Sequence, residues 1–139
     1  MSLFKQFKTD ASLETKGVII QYGYTEDNKP IQIKICRAGG ANTAYSRVLE
    51  SKVKPYRRQI QNDTMDRDTM IAIMREVFAD TVVIGWENVQ DKDGNDLAFN
   101  RTNVIKLFEE LPELFEDIQA QANNVAIFRE EILASEAKN

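Results

Sequence analysis

Alternating apolar and polar positions predict a β-hairpin near the start of the chain. In "KPIQIKICRAG" every second residue is an isoleucine and the residues between are polar or small: Ile31, Ile33 and Ile35 against Gln32, Lys34 and Cys36. This alternation gives one apolar and one mixed strand face. The preceding segment "GVIIQYG" is also rich in β-formers, and the polar stretch Thr25 to Asn28 separates the two. We therefore expect two antiparallel strands, with Pro30 at a strand start, where its missing N–H does little harm.

Apolar spacings of three, four and seven predict helices after the glycines that end the hairpin. The segment "ANTAYSRVLESKVKPYRRQIQN" places its apolar residues on one helix face: Tyr45, Val48, Leu49, Val53, Tyr56 and Ile60. Pro55 conflicts with a continuous helix, because proline lacks a backbone donor and clashes with the preceding turn. It either kinks the helix near Ser51 or begins a second helix.

The next predicted helix begins within "NDTMDRDTM", where Asp66 and Asp68 suit a helix N-terminus. Its apolar residues at helical spacing are Met70, Ile73, Met74, Val77 and Phe78, and Ile71 and Val82 widen the apolar surface. We expect this helix to be buried on more than one side and to end or bend at Gly85. Its methionines, with Met65, favour a core role, although methionine-rich faces also serve as adaptable binding surfaces.

The stretch "WENVQDKDGNDLAFN" raises the question of a calcium loop. Counted from Asp91, an EF-hand needs glycine at the sixth position and a bidentate glutamate at the twelfth. Here the glycine is Gly94, at the fourth position, and the twelfth residue is Thr102, so we predict no calcium site. Asp93-Gly94 instead predicts a tight turn between two short extended arms. Four apolar residues of these arms are expected to cap the core: Trp86, Val89, Leu97 and Phe99.

Two helices are predicted to close the chain. Asn100 or Thr102 can cap the first, and Pro112 suits the first turn of the second. Their apolar faces comprise Val104, Ile105, Leu107, Phe108 and Leu111, then Leu114, Phe115, Ile118, Ala122, Val125, Phe128 and Ile132. Asn123 and Asn124 weaken the middle of the last helix without abolishing its period. The polar tail "ASEAKN" is expected to fray.

These elements predict a single α+β domain over residues 1–139. A small N-terminal antiparallel hairpin leads into a mostly helical body with a short hairpin-like turn, and Trp86 and Phe108 belong to the core. The length of 139 residues is enough for one domain with one sizeable core. No internal repeat, linker or low-complexity block divides the chain.

The composition limits which catalytic and metal-binding groups the chain can offer. The chain has no histidine, which removes the commonest general base and the commonest zinc ligand. Its one cysteine, Cys36, lies in a strand-like run and is interpreted as a small packed residue. The N-terminal segment "MSLFKQFKTDASLETKG" is interrupted by charges and lacks the apolar core of a secretion signal. No apolar run approaches the roughly 20 residues that span a bilayer, so we expect no membrane association.

No catalytic, cofactor-binding or metal site is predicted, and the chain is not expected to be an enzyme. The glycine pair in "CRAGGANTAY" lacks both the Walker and the GxGxxG pattern. Carboxylate pairs at Glu109–Glu110 and Glu130–Glu131 are of the kind found on exposed helices. The net charge of −4 argues against nucleic-acid binding. The most basic cluster is either a solvated helix face or a docking patch for an acidic partner: Lys52, Lys54, Arg57 and Arg58.

One stretch carries a family resemblance. "VIGWENVQDKDGNDLAFNRTNVIKLFEELPELFEDIQAQANNVAIF" places a tryptophan near the end of an apolar helix and follows it with the pattern NV.D.DG..L.FN..N...LF..LPELF..I...A.N...F. This order resembles the tail assembly chaperones of long-tailed bacteriophages, most specifically from Val83 to Phe128. The resemblance implies a non-enzymatic protein of the host cytoplasm that coats the helical tape-measure protein, helps deliver tail-tube subunits and is absent from the finished virion. Self-association into a homo-oligomer fits that role.

Two other classes remain open. A structural tail-completion or connector protein would stay in purified particles, whereas a generic host adaptor would lack phage neighbours in the genome.

The resemblance also implies that a longer form can arise by ribosomal slippage. The residues Ala137-Lys138-Asn139 permit the slippery run A AAA AAC, although a polar tail that favours solubility explains them equally well. An extended form of the chain would add a tail that binds the tape measure, while the shared domain recruits tube subunits.

Overall fold

The computed structural model describes residues 2–129. Seven helices and three strands follow one another along these residues: α1 (Leu3–Phe7), α2 (Ala11–Lys16), β1 (Val18–Tyr24), β2 (Pro30–Ile35), α3 (Thr43–Val53), α4 (Arg57–Gln61), α5 (Arg67–Thr81), β3 (Val83–Glu87), α6 (Arg101–Glu110) and α7 (Pro112–Ala122). Two 3₁₀ turns, Lys54–Tyr56 and Val125–Phe128, complete the described elements. The α+β class with an N-terminal hairpin and a helical body is confirmed.

The sheet is antiparallel throughout, in the order β1-β2-β3. Ile33 of β2 pairs with Ile20 of β1 on one side and with Trp86 of β3 on the other. The hairpin and its loop at Thr25 to Asn28 are therefore confirmed. Alternation along β2 turns Ile33 and Ile35 into the core and leaves Lys34 exposed.

The third strand corrects one prediction. The helix that precedes it ends at Thr81, not at Gly85, and Val83–Glu87 pairs with β2. The residues at this junction are β-branched and favour extended structure once a partner strand is present. β2 is that partner strand. Because it lies far from β3 in the sequence, the local spacing of apolar residues could not reveal the pairing.

The predicted capping residues and prolines lie at helix ends in the structure. The side chain of Asp66 accepts a hydrogen bond from Thr69 N (3.2 Å) at the start of α5, and that of Asn100 accepts one from Asn103 N (2.8 Å) at the start of α6. Pro112 is the first residue of α7. The conflict at Pro55 resolves in favour of a break, because a 3₁₀ turn follows α3 and α4 begins as a second helix at Arg57.

The predicted length of the last helix is wrong. α7 ends at Ala122, Asn123 donates its side-chain amide to Gln119 O (2.8 Å), and Asn124 accepts from Ala126 N (3.0 Å) to begin a 3₁₀ turn. Asparagine side chains compete with the helix ladder for backbone partners, so two in succession end the helix. Ile132, the Glu130–Glu131 pair and the predicted frayed tail lie outside the described residues.

The core lies between one face of the sheet and helices α5, α6 and α7. Its buried residues are Ile33, Ile35, Phe78, Val82, Val83, Val89, Val104, Leu107, Phe108, Phe115, Ile118 and Ala122. Phe108 is 1% exposed, which confirms it as a core residue. Trp86 is only partly buried: it packs against the core, its indole N–H donates to Leu97 O (2.9 Å), and its ring contacts Phe99 edge-to-face.

The loop around the glycine pair ties the N-terminal segment to the body. Arg37 forms an ion pair with the buried carboxylate of Glu14, and Asn42 donates to Arg37 O (2.8 Å) and Thr81 O (2.9 Å). Gly40 has φ +55°, and a Cβ there would lie 2.5 Å from a carboxylate oxygen of Glu14. The "CRAGGANTAY" segment is thus a structural junction in which glycine is required.

Candidate functional site

Among the described residues, a groove between α5 and α7 is one concave surface of the helical body, and it is lined by both apolar and charged side chains. It has a volume of about 280 Å³. Its lining residues are Arg67, Met70, Ile71, Met74, Arg75, Pro112, Phe115, Glu116 and Gln119. Both helices contribute residues spaced by three and four positions, so each presents one continuous face to the groove.

The groove combines partly buried methionines along its side with a buried phenylalanine at its base. Met70, Ile71 and Met74 are only partly buried, and unbranched methionine side chains adjust to irregular partners. Phe115 forms the floor and is buried, with its ring edge-to-face against Phe78 at 5.5 Å. An apolar side chain that entered the groove would therefore contact the core directly. Met70 and Met74, which lie close together in the sequence, both line the groove, whereas Met65 is not among the lining residues.

Charged groups of opposite sign flank the groove. Arg67 and Arg75 lie on the α5 side, and Glu116 lies on the α7 side. The Nε of Arg75 is buried and has no hydrogen-bond partner within residues 2–129. Glu76, next in the chain, is directed elsewhere: its carboxylate contacts Lys52 Nζ (3.4 Å) and Arg101 Nη2 (3.8 Å). The carboxylate that follows Arg75 in the sequence is therefore engaged by Lys52 and Arg101, whereas Glu116 lines the groove itself.

A second apolar surface lies on α1, which contains no buried residue. Leu3, Phe4 and Phe7 are 71%, 79% and 63% exposed, and with Lys8 they line an open cavity of about 680 Å³. This segment was expected only to lack the apolar core of a secretion signal, and neither α1 nor α2 was predicted. The signal was present, because Ser2 caps the helix by accepting from Lys5 N (3.2 Å) and the apolar residues follow at helical spacing.

The basic cluster of α3 and α4 is partly neutralised within the domain. Lys52 forms ion pairs with Glu76 (3.4 Å) and Asp80 (3.9 Å). Arg57 pairs with Glu50 at 3.6 Å. These contacts favour the interpretation of a solvated helix face over a docking patch for an acidic partner.

The aspartate-rich stretch forms the predicted turn. One carboxylate oxygen of Asp91 accepts from Asp93 N (2.9 Å) and Asn95 N (3.0 Å), and Gly94 adopts φ +83°. The two arms meet at Gln90 and Asp96. The Asp91 carboxylate thus holds the turn together, as aspartate does in such turns. That calcium does not bind here stays a prediction.

The structure also shows the surroundings of the cysteine and of the carboxylate pair that the sequence offered as possible reactive groups. Cys36 is buried, and burial raises the pKa of its thiol, which disfavours the reactive thiolate. Glu109 and Glu110 are exposed on α6. Within residues 2–129, no group of three or more histidine, cysteine, aspartate or glutamate side chains is arranged to hold a metal ion. Over the same range, no helix combines the length and apolarity needed to cross a membrane.

The groove lies in the part of the chain that matches a known family. The family described as YdaY prophage protein matches residues 40–139, which include α3 to α7 but not α1, α2 or the hairpin. No curated protein and no solved structure matches the chain. The match covers well over half of the 139 residues. The chain is therefore phage-derived and belongs to the YdaY prophage protein family.

Proposed function

We propose that this protein is a bacteriophage tail assembly chaperone that binds the tape-measure protein and helps recruit tail-tube subunits. It acts without catalysis, in the host cytoplasm, and is absent from the mature virion. The prophage family and the sequence pattern from Val83 to Phe128 support this role. The observation that carries the proposal is the methionine-lined groove between α5 and α7.

The groove suits a helical client. A tape-measure protein is long and helical, and its apolar stripes would aggregate unless they were covered. Grooves between helices bind amphipathic helices through apolar side chains spaced by one turn. Because the groove of about 280 Å³ accommodates only a few side chains, one contact would be weak. Many copies, self-associated along one client, would bind strongly through multivalency.

The test is co-expression with the tape-measure protein encoded beside this gene. We expect the wild-type chain to raise the soluble fraction of that protein and to co-purify with it. The double variant M70Q/M74Q replaces the groove methionines with polar side chains of similar length and should lose both effects. I60Q is the matched control, because Ile60 is exposed on α4 and is not a groove residue.

Two outcomes would contradict the proposal. The first is the absence of any complex between the wild-type chain and the tape-measure protein. The second is the detection of this chain in purified mature particles, which would favour a structural tail-completion or connector protein. Circular dichroism of each variant separates a lost interaction from a lost fold. The neighbouring gene provides an independent check, since a chaperone gene should precede a very long, helix-rich reading frame.

A further inference from the structure

α1 presents an apolar and positively charged surface that the chain leaves uncovered. The segment from Ser2 to Lys8 contains two lysines and no carboxylate, and neither lysine forms an ion pair within residues 2–129. A partner that covers α1 must therefore provide both apolar side chains and negative charge. Five exposed side chains make up this surface, which we call the α1 face: Leu3, Phe4, Lys5, Phe7 and Lys8.

The corner between α6 and α7 carries the opposite charge. Leu111 is 50% exposed there, although it stands between two buried helix faces. The glutamates around it are exposed and form no ion pair in the part of the chain that the structure describes. Even with Lys106, one turn earlier on α6, the corner has a net negative charge. We call these residues the acidic corner: Glu109, Glu110, Leu111 and Glu113.

The two surfaces belong to opposite ends of α7. Arg37 N donates to Glu14 O (3.0 Å) in α2, the helix that follows α1. The next residue, Ala38, donates its N–H to Ala122 O (2.9 Å), at the C-terminal end of α7. The acidic corner lies at the other end of α7, whose 11 residues span about 16 Å. Since both surfaces are exposed, one copy of the chain does not satisfy either surface with the other.

We propose that the α1 face of one copy docks on the acidic corner of a second copy. The apolar side chains of α1 cover Leu111, and its two lysines face the glutamates. This inference rests on the proposed function for its setting, in which several copies share one client, and it specifies the contact between them. Because the two surfaces differ, each pair of copies retains one free α1 face and one free corner.

Charge excludes two other positions for α1. The groove between α5 and α7 is lined by Arg67 and Arg75, so the lysines of α1 would meet like charges there. Two α1 faces packed against each other would also bring lysines together. The acidic corner combines an exposed apolar side chain with the matching charge, and its use leaves the groove free for the client.

The size of the contact sets its strength. The two surfaces together contribute four large exposed apolar side chains: Leu3, Phe4, Phe7 and Leu111. An interface built on so few side chains buries less than the roughly 1,200 Å² of total surface that specific, stable complexes bury. Copies in dilute solution are therefore separate. A client that holds several copies side by side raises their local concentration, and the contact then forms.

The test is sedimentation velocity of the purified chain at concentrations up to about 1 mM, where weak contacts become populated. We expect the average sedimentation coefficient of the wild type to rise with concentration. K5E/K8E reverses the charge of the α1 face and should raise the dissociation constant about tenfold or more, because repulsion replaces attraction. High ionic strength should also weaken self-association of the wild type, since it screens exposed charges.

Reversing the charge of the corner provides the sharpest comparison. E109K/E110K should weaken self-association as K5E/K8E does, and lysines in the last turn of α6 suit the helix dipole. The variant that carries all four substitutions exchanges the charges of the two surfaces and should restore self-association. If two α1 faces packed against each other instead, this variant would associate no better than K5E/K8E.

Two further variants separate the apolar contact from a general effect of charge. L111Q removes the apolar side chain of the corner and should weaken self-association without changing the net charge. K54E/R58E is the matched control for K5E/K8E, because it alters the net charge equally at exposed positions away from both surfaces. It should preserve self-association. Circular dichroism of each variant checks that the fold is intact.

Three results would overturn the inference. The first is a wild type that stays monomeric up to about 1 mM. The second is equal weakening by K54E/R58E and K5E/K8E. The third is a variant with all four substitutions at the two surfaces that associates no better than K5E/K8E.

The inference and the proposed function fail separately, because the purified chain is measured without the client. Self-association that depends on both surfaces, without any complex with the tape-measure protein, would support the contact and refute the chaperone role. A tape-measure complex formed by a chain that does not self-associate would support the role and refute the contact.

Discussion

The same substitution at two phenylalanines provides the sharpest test of the fold. Phe108 lies on α6, is 1% exposed and stacks on Phe115 with ring centroids 4.7 Å apart. Phe4 lies on α1 and is 79% exposed. Phe108→Ala and Phe4→Ala remove the same atoms from the core and from the surface, so the difference between them reports burial alone.

The structure sets the expected magnitudes. Phe108→Ala removes a fully buried ring and leaves a cavity, which costs about 3–5 kcal/mol of unfolding free energy. Phe4→Ala should change that free energy by no more than about 0.5 kcal/mol. At about 2.1 cal/mol/K per residue, a chain of 139 residues has an unfolding entropy of about 0.3 kcal/mol/K. Phe108→Ala should therefore lower the melting temperature by about 10–17 °C, and Phe4→Ala by less than about 2 °C.

The assay is thermal and urea unfolding followed by circular dichroism. If the slope of unfolding free energy against urea concentration is the same as in the wild type, both variants unfold from the same compact state. A loss below about 1 kcal/mol for Phe108→Ala would place that ring outside the core and refute the packing of α6 against α7. A large loss for Phe4→Ala would show that the exposed face of α1 is covered in the free protein.

Three further predictions concern metal, pH and the reading frame. Calcium should not bind tightly at Asp91 to Asp96, and a micromolar transition in tryptophan fluorescence that is lost in D93A would contradict this. Burial and a hydrogen bond to Asp117 raise the pKa of Tyr22, so its stabilising contribution is complete below about pH 10 and is lost as the pH rises further; unfolding free energy should fall more steeply above about pH 10 in the wild type than in Y22F. If the codons for residues 137–139 contain the slippery run, synonymous recoding should abolish a longer product and leave the short form intact.

Local signals in the sequence predicted the parts of the fold that local chemistry determines. Strand alternation identified the hairpin, and capping side chains identified the starts of α5 and α6. β3 was missed for a physical reason. The run Val82 to Ile84 continues the apolar pattern of α5, and only pairing with β2 makes it a strand. The early end of α7 was missed because Asn123 and Asn124 outweigh a continuing apolar period.

The candidate site could be predicted only in part, because core and binding residues share the same periodicity. Met74 and Phe78 lie four residues apart on one helix, yet Phe78 is fully buried and Met74 lines the groove. Which side of α5 the sheet and the other helices cover is a property of the whole packing.

Arg75 nevertheless carries a sequence signal. It stands four residues after Ile71 and so on the same side of α5. An arginine beside an apolar stripe is rarely buried without a partner in a protein core. Its position therefore indicates that this side of the helix is not wholly core. Arg75 accordingly lines the groove between α5 and α7 and does not belong to the core cluster.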